Sequence, residues 1–478
     1  MMSRNICGAV LLGAILSQAG WAQEPQPPDQ NGQNDTASPD QRVAPAPALA
    51  GGLLSEGGGS SRDGATHGPV VPAIVGGYGS SLAFTTEMQR SNYIRGGASV
   101  QNAFTNNSFL TPTGAGTNDT LSVFPHIALD QSRPRVHWLL SYAGGYSYNS
   151  NLRPQNFTSQ DLDFDLQYRL SPHTTARVSE LVSYTSGVFV APSNFSGTIP
   201  GVPEGSNPFI ATPLSTQFGN LSRGEIGYQL SAGSAVGASG GYNVHRFSNL
   251  PPDSVLLNTQ SENAAGFYMH RILPGNWLGV SYTFQQLTFS PTPGETFIHS
   301  AFVFDTIALR ENMSLTFFAG PQYSDDTAPV SFGSQVLTVQ KAWSGAGGAS
   351  YSWQGSNTSV TVDVARRLSD GAGLLGTAEV NSATGAFRRR ITRNWSAEAG
   401  ASFAINDALN PALTDKSSIR SAAGEFDVAR QFSEKLFLRF GYVRQFQSTT
   451  AADATRTDAN RNQFLLTLTY QFTRPWGR

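Results

Sequence analysis

Charge is what this 478-residue chain has least of. Asp, Glu, Lys and Arg make up 13% of it, against about 25% in an average soluble protein. Apolar residues do not take their place, at 39%; Gly, Ser, Thr, Asn and Gln do. Lysine is scarcest, with only Lys341, Lys416 and Lys435, so nearly all cationic side chains are Arg. A net charge of −2 leaves no basic footprint for nucleic acid. The single cysteine, Cys7, excludes a disulfide framework. Beyond the N-terminus no run of about 18 apolar residues occurs, which excludes a polytopic helical membrane protein. Aromatics are not scarce. At 11% they are too frequent for a chain disordered throughout.

The N-terminus has the three parts of a secretory signal. Arg4 supplies the positive charge, Ile6 to Leu16 the apolar stretch, and Gly20-Trp21-Ala22 a small-x-small cleavage pattern, placing a signal peptide at 1–22. Cys7 leaves with it. Residues 23–75 are Pro- and Gly-rich (Pro25, Pro27, Pro28, Pro45, Pro47, Gly57-Gly58-Gly59) and contain no Phe, Tyr or Trp. Such a segment cannot bury enough surface to offset its ordering entropy, so a disordered periplasmic tether is expected there. A barrel domain is expected over 76–478.

From about Asn92 the pattern changes to period-2 alternation. Leu162, Phe164, Leu166, Tyr168 and Leu170 fall on one face of a strand and Asp163, Asp165, Gln167 and Arg169 on the other. A helix would scatter these charges around its circumference; a strand separates them. The last segment does the same, with Phe464, Leu466, Leu468, Tyr470 and Phe472 alternating with Gln463, Leu465, Thr467, Thr469 and Gln471.

The connections alternate as well. Short links fall at 132–134, 171–173, 231–233, 274–276, 311–312, 354–356, 393–394 and 433–435. Longer polar links fall at 149–156, 191–216, 248–259, 290–295, 324–335, 369–374, 406–418 and 447–460. Short periplasmic turns and longer outer loops are the signature of a transmembrane up-and-down barrel. In lipid every backbone N–H and C=O needs an internal partner, so the sheet must close. Seventeen strands run from 120–130 to the C-terminus. Asn92–Phe104 adds an eighteenth, giving an even number with both ends periplasmic; sixteen is the alternative if a hairpin at 375–405 is misread.

The signal, the alternation, the loop asymmetry and the aromatic final strand, Leu468-Thr469-Tyr470-Gln471-Phe472, together resemble a Gram-negative outer-membrane β-barrel. Size and strand count are similar to general and substrate-specific porins and to alginate-export-type barrels. The resemblance implies an all-β, antiparallel transmembrane barrel in the cell outer membrane. It also implies recognition of the final strand by the barrel-assembly machinery, although here Phe472 is followed by six further residues. Expected partners are that machinery, outer-membrane lipid and, as one option, two further copies in a homotrimer; nucleic acid is not among them.

Alternation points Asp161, Asp163, Asp165, Glu225, Asp363, Glu398, Glu425 and Asp427 inward, together with Arg169, Arg177, Arg367 and Arg439. Polar walls of both signs suit a solvated, weakly selective channel, and these are the candidate pore-lining residues. The longest link, 191–216, carries five prolines and would, if it folds inward as a constriction loop does, bring Glu204 to the pore. Arg388, Arg389 and Arg390 cannot all avoid lipid unless they sit at the periplasmic rim beside Arg393. Glu180 shares its face with Val178 and Val182, so either a bulge or a displaced register is expected there.

The seven histidines are scattered, and no zinc spacing, His–Ser pairing, phosphate loop or dinucleotide fingerprint is present. The expectation is therefore a protein that is not an enzyme and needs no cofactor or metal. It would be a porin-like channel for passive passage of small hydrophilic solutes. A partner-dependent export conduit, for instance for polysaccharide, or a structural surface barrel is the alternative.

Overall fold

The computed structural model describes residues 91–107, 116–150, 156–188, 210–212, 215–249, 256–310, 312–329 and 336–475. The expected signal peptide and tether, and Glu204, lie outside them. The described chain is a sequence of strands: β1 (Ser91–Thr105), β2 (Asn118–Ser132), β3 (Val136–Asn149), β4 (Phe157–Ser171), β5 (Thr174–Val188) and β6 (Ser215–Ser231). These continue as β7 (Ser234–Ser248), β8 (Asn258–Leu273), β9 (Asn276–Ser290), β10 (Gly294–Arg310), β11 (Met313–Pro329) and β12 (Leu337–Gln354). The last six are β13 (Thr358–Gly371), β14 (Leu375–Arg390), β15 (Trp395–Ala408), β16 (Lys416–Ser433), β17 (Leu436–Ala451) and β18 (Arg456–Pro475), with one 3-10 turn at Pro411–Leu413.

Each strand pairs antiparallel with its chain neighbours, and β1 pairs with β18 from Tyr93/Pro475 to Thr105/Gln463. The sheet is therefore a closed barrel of eighteen strands with both ends on the side of the short turns, which is the periplasmic side. Outward positions carry the apolar belt: Leu121, Val123, Ile127, Leu162, Val178, Ile226, Val280, Val303, Leu466 and Leu468 are all exposed. Inward positions carry Ser99, Ser122, Ser141, Ser261, Thr283, Gln285, Ser300 and Thr467, all buried. Lipid on one face and a polar interior on the other produce the alternation.

Glycines let the wall curve around inward aromatics. The Phe304 ring lies against Gly279 of the next strand, Phe318 against Gly348 and Phe267 against Gly237, each where a Cβ would clash. On the outer face Phe472 covers Gly96 and so packs β18 on β1. Such ring-over-glycine pairs pin strand register.

All eight short links lie where expected. Three of the expected long links are instead tight: 291–293, 372–374 and 452–455. The strands around them run past the membrane. There both faces meet water or protein, apolar alternation ends while pairing continues, and polar strand ends such as Gln447–Thr450 read as loop.

One pair departs from the barrel. β11 and β12 stay in register from Met313/Trp353 to Pro329/Leu337. β13 and β14 pair from Thr358/Arg389 to Gly371/Leu375. Between β12 and β13, however, pairing stops at Gly347/Arg366. Above that level β13 parts from β12 and bends into the lumen, while β14 stays paired with β15 as far as Ala378/Ala408, so that the hairpin tip lies inside the barrel.

Candidate functional site: the lumen and its inward hairpin

The hairpin tip, Gly371-Ala372-Gly373-Leu374, is closed by the Leu374 N–H donating to the Gly371 carbonyl at 3.0 Å. Ala372 and Gly373 both have positive φ, 50° and 77°, as a two-residue type I′ connection requires. Gly373 has a second reason to be glycine: a Cβ there would strike the Phe247 ring and the Leu257 carbonyl.

Both faces of the hairpin are buried. One lies on the inner wall of β10 and β11. There the Leu368 N–H donates to the Gln322 side-chain oxygen at 3.2 Å. The Thr296 hydroxyl donates to Asp326 at 2.6 Å, so the Thr377 hydroxyl, 2.6 Å from Thr296, must be the donor to it. The tip reaches the β7–β8 link, where the Leu257 N–H donates to the Gly373 carbonyl at 2.8 Å. The other face joins an apolar cluster of Ile210, Phe247, Leu256, Leu374, Leu375, Val380, Ala404 and Ile419. A second cluster, Leu257, Leu287, Phe289, Ile298, Ala328, Leu368 and Leu413, fills the space beside it. The outer half of the lumen is thus narrowed by a hairpin seated on apolar contacts. The described end of the longest link enters the same mouth: Ile210, Ala211 and Thr212 are buried. Ala211 exchanges two hydrogen bonds with the Gln447 side chain of β17, at 2.8 and 3.1 Å.

Toward the periplasm the inner wall is divided. On β7–β12 it is apolar, with Phe267, Met269, Trp277, Phe302, Phe304 and Phe318 in one cluster and Phe302 edge-on to Phe318 at 5.4 Å. On β4–β6 it is charged. Asp161, Asp163, Asp165 and Arg169 share the inward face of β4, and Arg177 of β5 bonds Asp165 at 2.7 Å. Arg177 stands opposite Glu225 of β6. A second charged wall spans β13–β17. Asp363 lies opposite Ser350, and Arg367 sits at the root of the hairpin. Glu398 faces Asp427 directly, an unfavourable like-charge pair. Arg388, 3.9 Å from Glu398, and Arg439, which interacts with Asp427, offset it. Glu425 is on the same inward face of β16, opposite Val443.

Arg388 and Arg390 point inward and Arg389 outward at the periplasmic end of β14, next to the 391–394 turn. Glu180 needs no bulge. The register of β5 is regular through it, and its side chain lies on the outer face, bonded to the Asn220 amide. Among the described residues no cluster of three or more His, Cys, Asp or Glu is placed to hold a metal ion.

Sequence reasoning missed the apolar seat of the hairpin. Its trace is two doubled leucines, Leu256-Leu257 and Leu374-Leu375, set in links that are otherwise polar or Gly-rich. An outer loop exposed to water has no use for them.

No family model and no curated protein sequence matches the chain. Solved structures do. Pseudomonas aeruginosa OccK2 is similar at a TM-score of 0.42 and 10% identity, covering 80% of this chain and 98% of that one. The outer membrane protein OpdK from Pseudomonas aeruginosa is similar at 0.42 and 10%, covering 80% and 99%. The ferric citrate transporter FecA in its unliganded form is similar at 0.43 and 10%, covering 80% and 79%. The closed sheet of eighteen antiparallel strands, its apolar outer belt and its polar interior give this chain the form of a transmembrane β-barrel.

Proposed function

We propose that the protein is a passive channel for small hydrophilic solutes, constricted in its outer half by the β13–β14 hairpin. A lumen of eighteen strands is too wide for wall side chains alone to fill. What carries the reading is the two-signed inner wall beneath the hairpin. Asp163, Asp165, Asp363, Glu398, Glu425 and Asp427 stand with Arg169, Arg177, Arg367 and Arg439 on inward positions, where they replace solute hydration without forming one tight site. With Asp161 and Glu225 added to the carboxylates and inward Arg388 and Arg390 to the arginines, eight acidic groups stand against six basic ones, a near balance that implies weak ion selectivity. The test is single-channel recording of the folded barrel in a planar bilayer. Ohmic steps with a small reversal potential in a salt gradient are expected. Silence from protein shown to be folded by heat-shift electrophoresis would overturn the reading in favour of a conduit that conducts only with a partner.

A further inference from the structure

We propose that the outer face of β14–β16, at the short-turn rim, binds one anionic phospholipid of the adjoining membrane leaflet. Its phosphate sits between Arg389 and Arg430, and an acyl chain lies in the depression above them. Such a site does not depend on what passes through the lumen.

The two cations have no counter-charge in the protein. Of the three consecutive arginines, Arg388 lies 3.9 Å from Glu398, and Arg390 donates to the Asn357 side-chain oxygen at 2.8 Å. Arg389 instead points outward, opposite Ala397. Its side chain has no ion pair or hydrogen bond among the described residues. Two strands along, Arg430 points outward opposite Trp395, and it too has no ion pair among them. On β13–β18 the outward carboxylates, Glu379, Asp407 and Asp458, all lie at the other end of the wall. Arginines that face lipid without a protein carboxylate are complemented by the phosphates of head groups.

The second arginine is also held in a receptive pose. Its guanidinium carbon lies 5.3 Å from the Trp395 ring centroid and 4.8 Å from that of Phe432. Contacts of this kind hold the cation over the rings and leave its N–H edge free for two parallel bonds to a phosphate. Trp395 and Phe432 end their strands beside the short turns, where the aromatic girdle of a barrel meets the head groups. The arginines are therefore at phosphate height.

The surface above them is shaped. Ala397, Ala399 and Ala401 face outward on β15. The exposed rings of Phe387 and Phe426 stand on either side of Ala399. One level further in, Ala401 is flanked by Gly385 and Gly424, where an added Cβ would meet nothing closer than 3.9 Å. Exposed Phe403 stands at the far end. A floor of Ala and Gly bordered by three rings, with two free arginines at its mouth, fits an acyl chain carrying an anionic head.

The test is a lipid titration of the folded full-length barrel read by native mass spectrometry, with phosphatidylglycerol and, separately, phosphatidylcholine as probes. One phosphatidylglycerol should be retained in preference to phosphatidylcholine. Arg389→Gln/Arg430→Gln should weaken its binding about 25-fold, roughly fivefold for each basic residue at an anionic surface. Arg420→Gln/Arg444→Gln removes the same charge from outward positions elsewhere on β16 and β17 and should leave it bound. Ala401→Trp fills the depression without touching a charge and should also weaken it. Equal retention of the two lipids by the unaltered protein would overturn the site. So would equal losses from the two arginine pairs, or no loss from the first. Full retention by Ala401→Trp would overturn the depression as the seat of the chain. Heat-shift electrophoresis confirms that each variant is folded.

Discussion

Two seams of this barrel invite comparison. The first joins β1 to β18, the strands farthest apart in the chain, and it is complete. The second joins β12 to β13, consecutive strands linked by a short turn, and its outer half is missing. Nearness in sequence therefore does not decide closure; the chemistry of the two faces does. At the β1–β18 seam, inward Ser99 and Thr469 hydroxyls bond at 2.9 Å, outward Val100 and Leu468 face lipid, and Phe472 covers Gly96. Each face suits its surroundings. In the upper β13–β14 hairpin, neither face suits lipid on one side and water on the other. Leu368 and Thr377 need the β10–β11 wall, whereas Leu375, Ala378 and Val380 need the opposite apolar cluster. Such a hairpin is stable only with protein on both sides, and the place that offers this is the lumen.

The largest way to break the comparison is to shorten the hairpin. Replacing 369–377 with a two-residue turn removes the element that crosses the mouth. Single-channel conductance should rise several-fold, and an unchanged conductance would show that the constriction lies elsewhere. A milder disturbance is Gly373→Val, which adds a side chain where φ is +77° and Phe247 stands in the way. Overpacking of this kind costs about 1–3 kcal/mol, so the tip should leave its seat part of the time, seen as current noise and as new proteolytic cleavage near Ala372.

Smaller effects sharpen the contrast between the mouth and the charged walls. Asp165→Asn frees Arg177 from its 2.7 Å partner and should move the reversal potential toward anion preference. Arg177→Gln should move it the other way, without altering the gating noise. The smallest change expected is at the lipid face. Glu180 lies outward among Val178 and Val182, where an acid costs less than the roughly 2–4 kcal/mol of a midplane Arg or Lys. Glu180→Gln should therefore stabilise the folded barrel slightly in denaturant titration and leave conductance alone.

Most of the wall was legible in the sequence because lipid imposes one rule on every strand. Leu162–Leu170 and Phe464–Phe472 show it plainly, and with it the inward positions of Asp163, Asp165, Glu425 and Asp427. Even Arg388–Arg390 could be placed at the rim by the cost of a buried charge. The rule stops where the lipid stops. Polar strand ends around 291–293 and 452–455 pair by backbone alone and carry no periodic signal. The inward hairpin was hidden for a related reason. Its residues mix polar Ser369, Asp370 and Thr377 with Leu368, Leu374 and Leu375, and Gly371-Ala372-Gly373 reads as a loop; the doubled Leu374-Leu375 is a local trace of a packed tip, but nothing local says that it packs on Phe247. That depends on Leu256, Leu257 and Leu413, which lie tens of residues away.

The central claim is that one seam is closed along its length and the other only in its periplasmic half. Cleavage of the expected signal peptide would remove Cys7, so paired cysteines can test this without background. Ser99→Cys/Thr469→Cys spans the complete seam. Ser344→Cys/Ser369→Cys joins positions that would face each other if the register from Gly347/Arg366 continued outward. Under mild oxidation the first pair should form a disulfide and the second should not. Equal cross-linking of both would contradict the account, because it would place the upper half of β13 back in the wall beside β12.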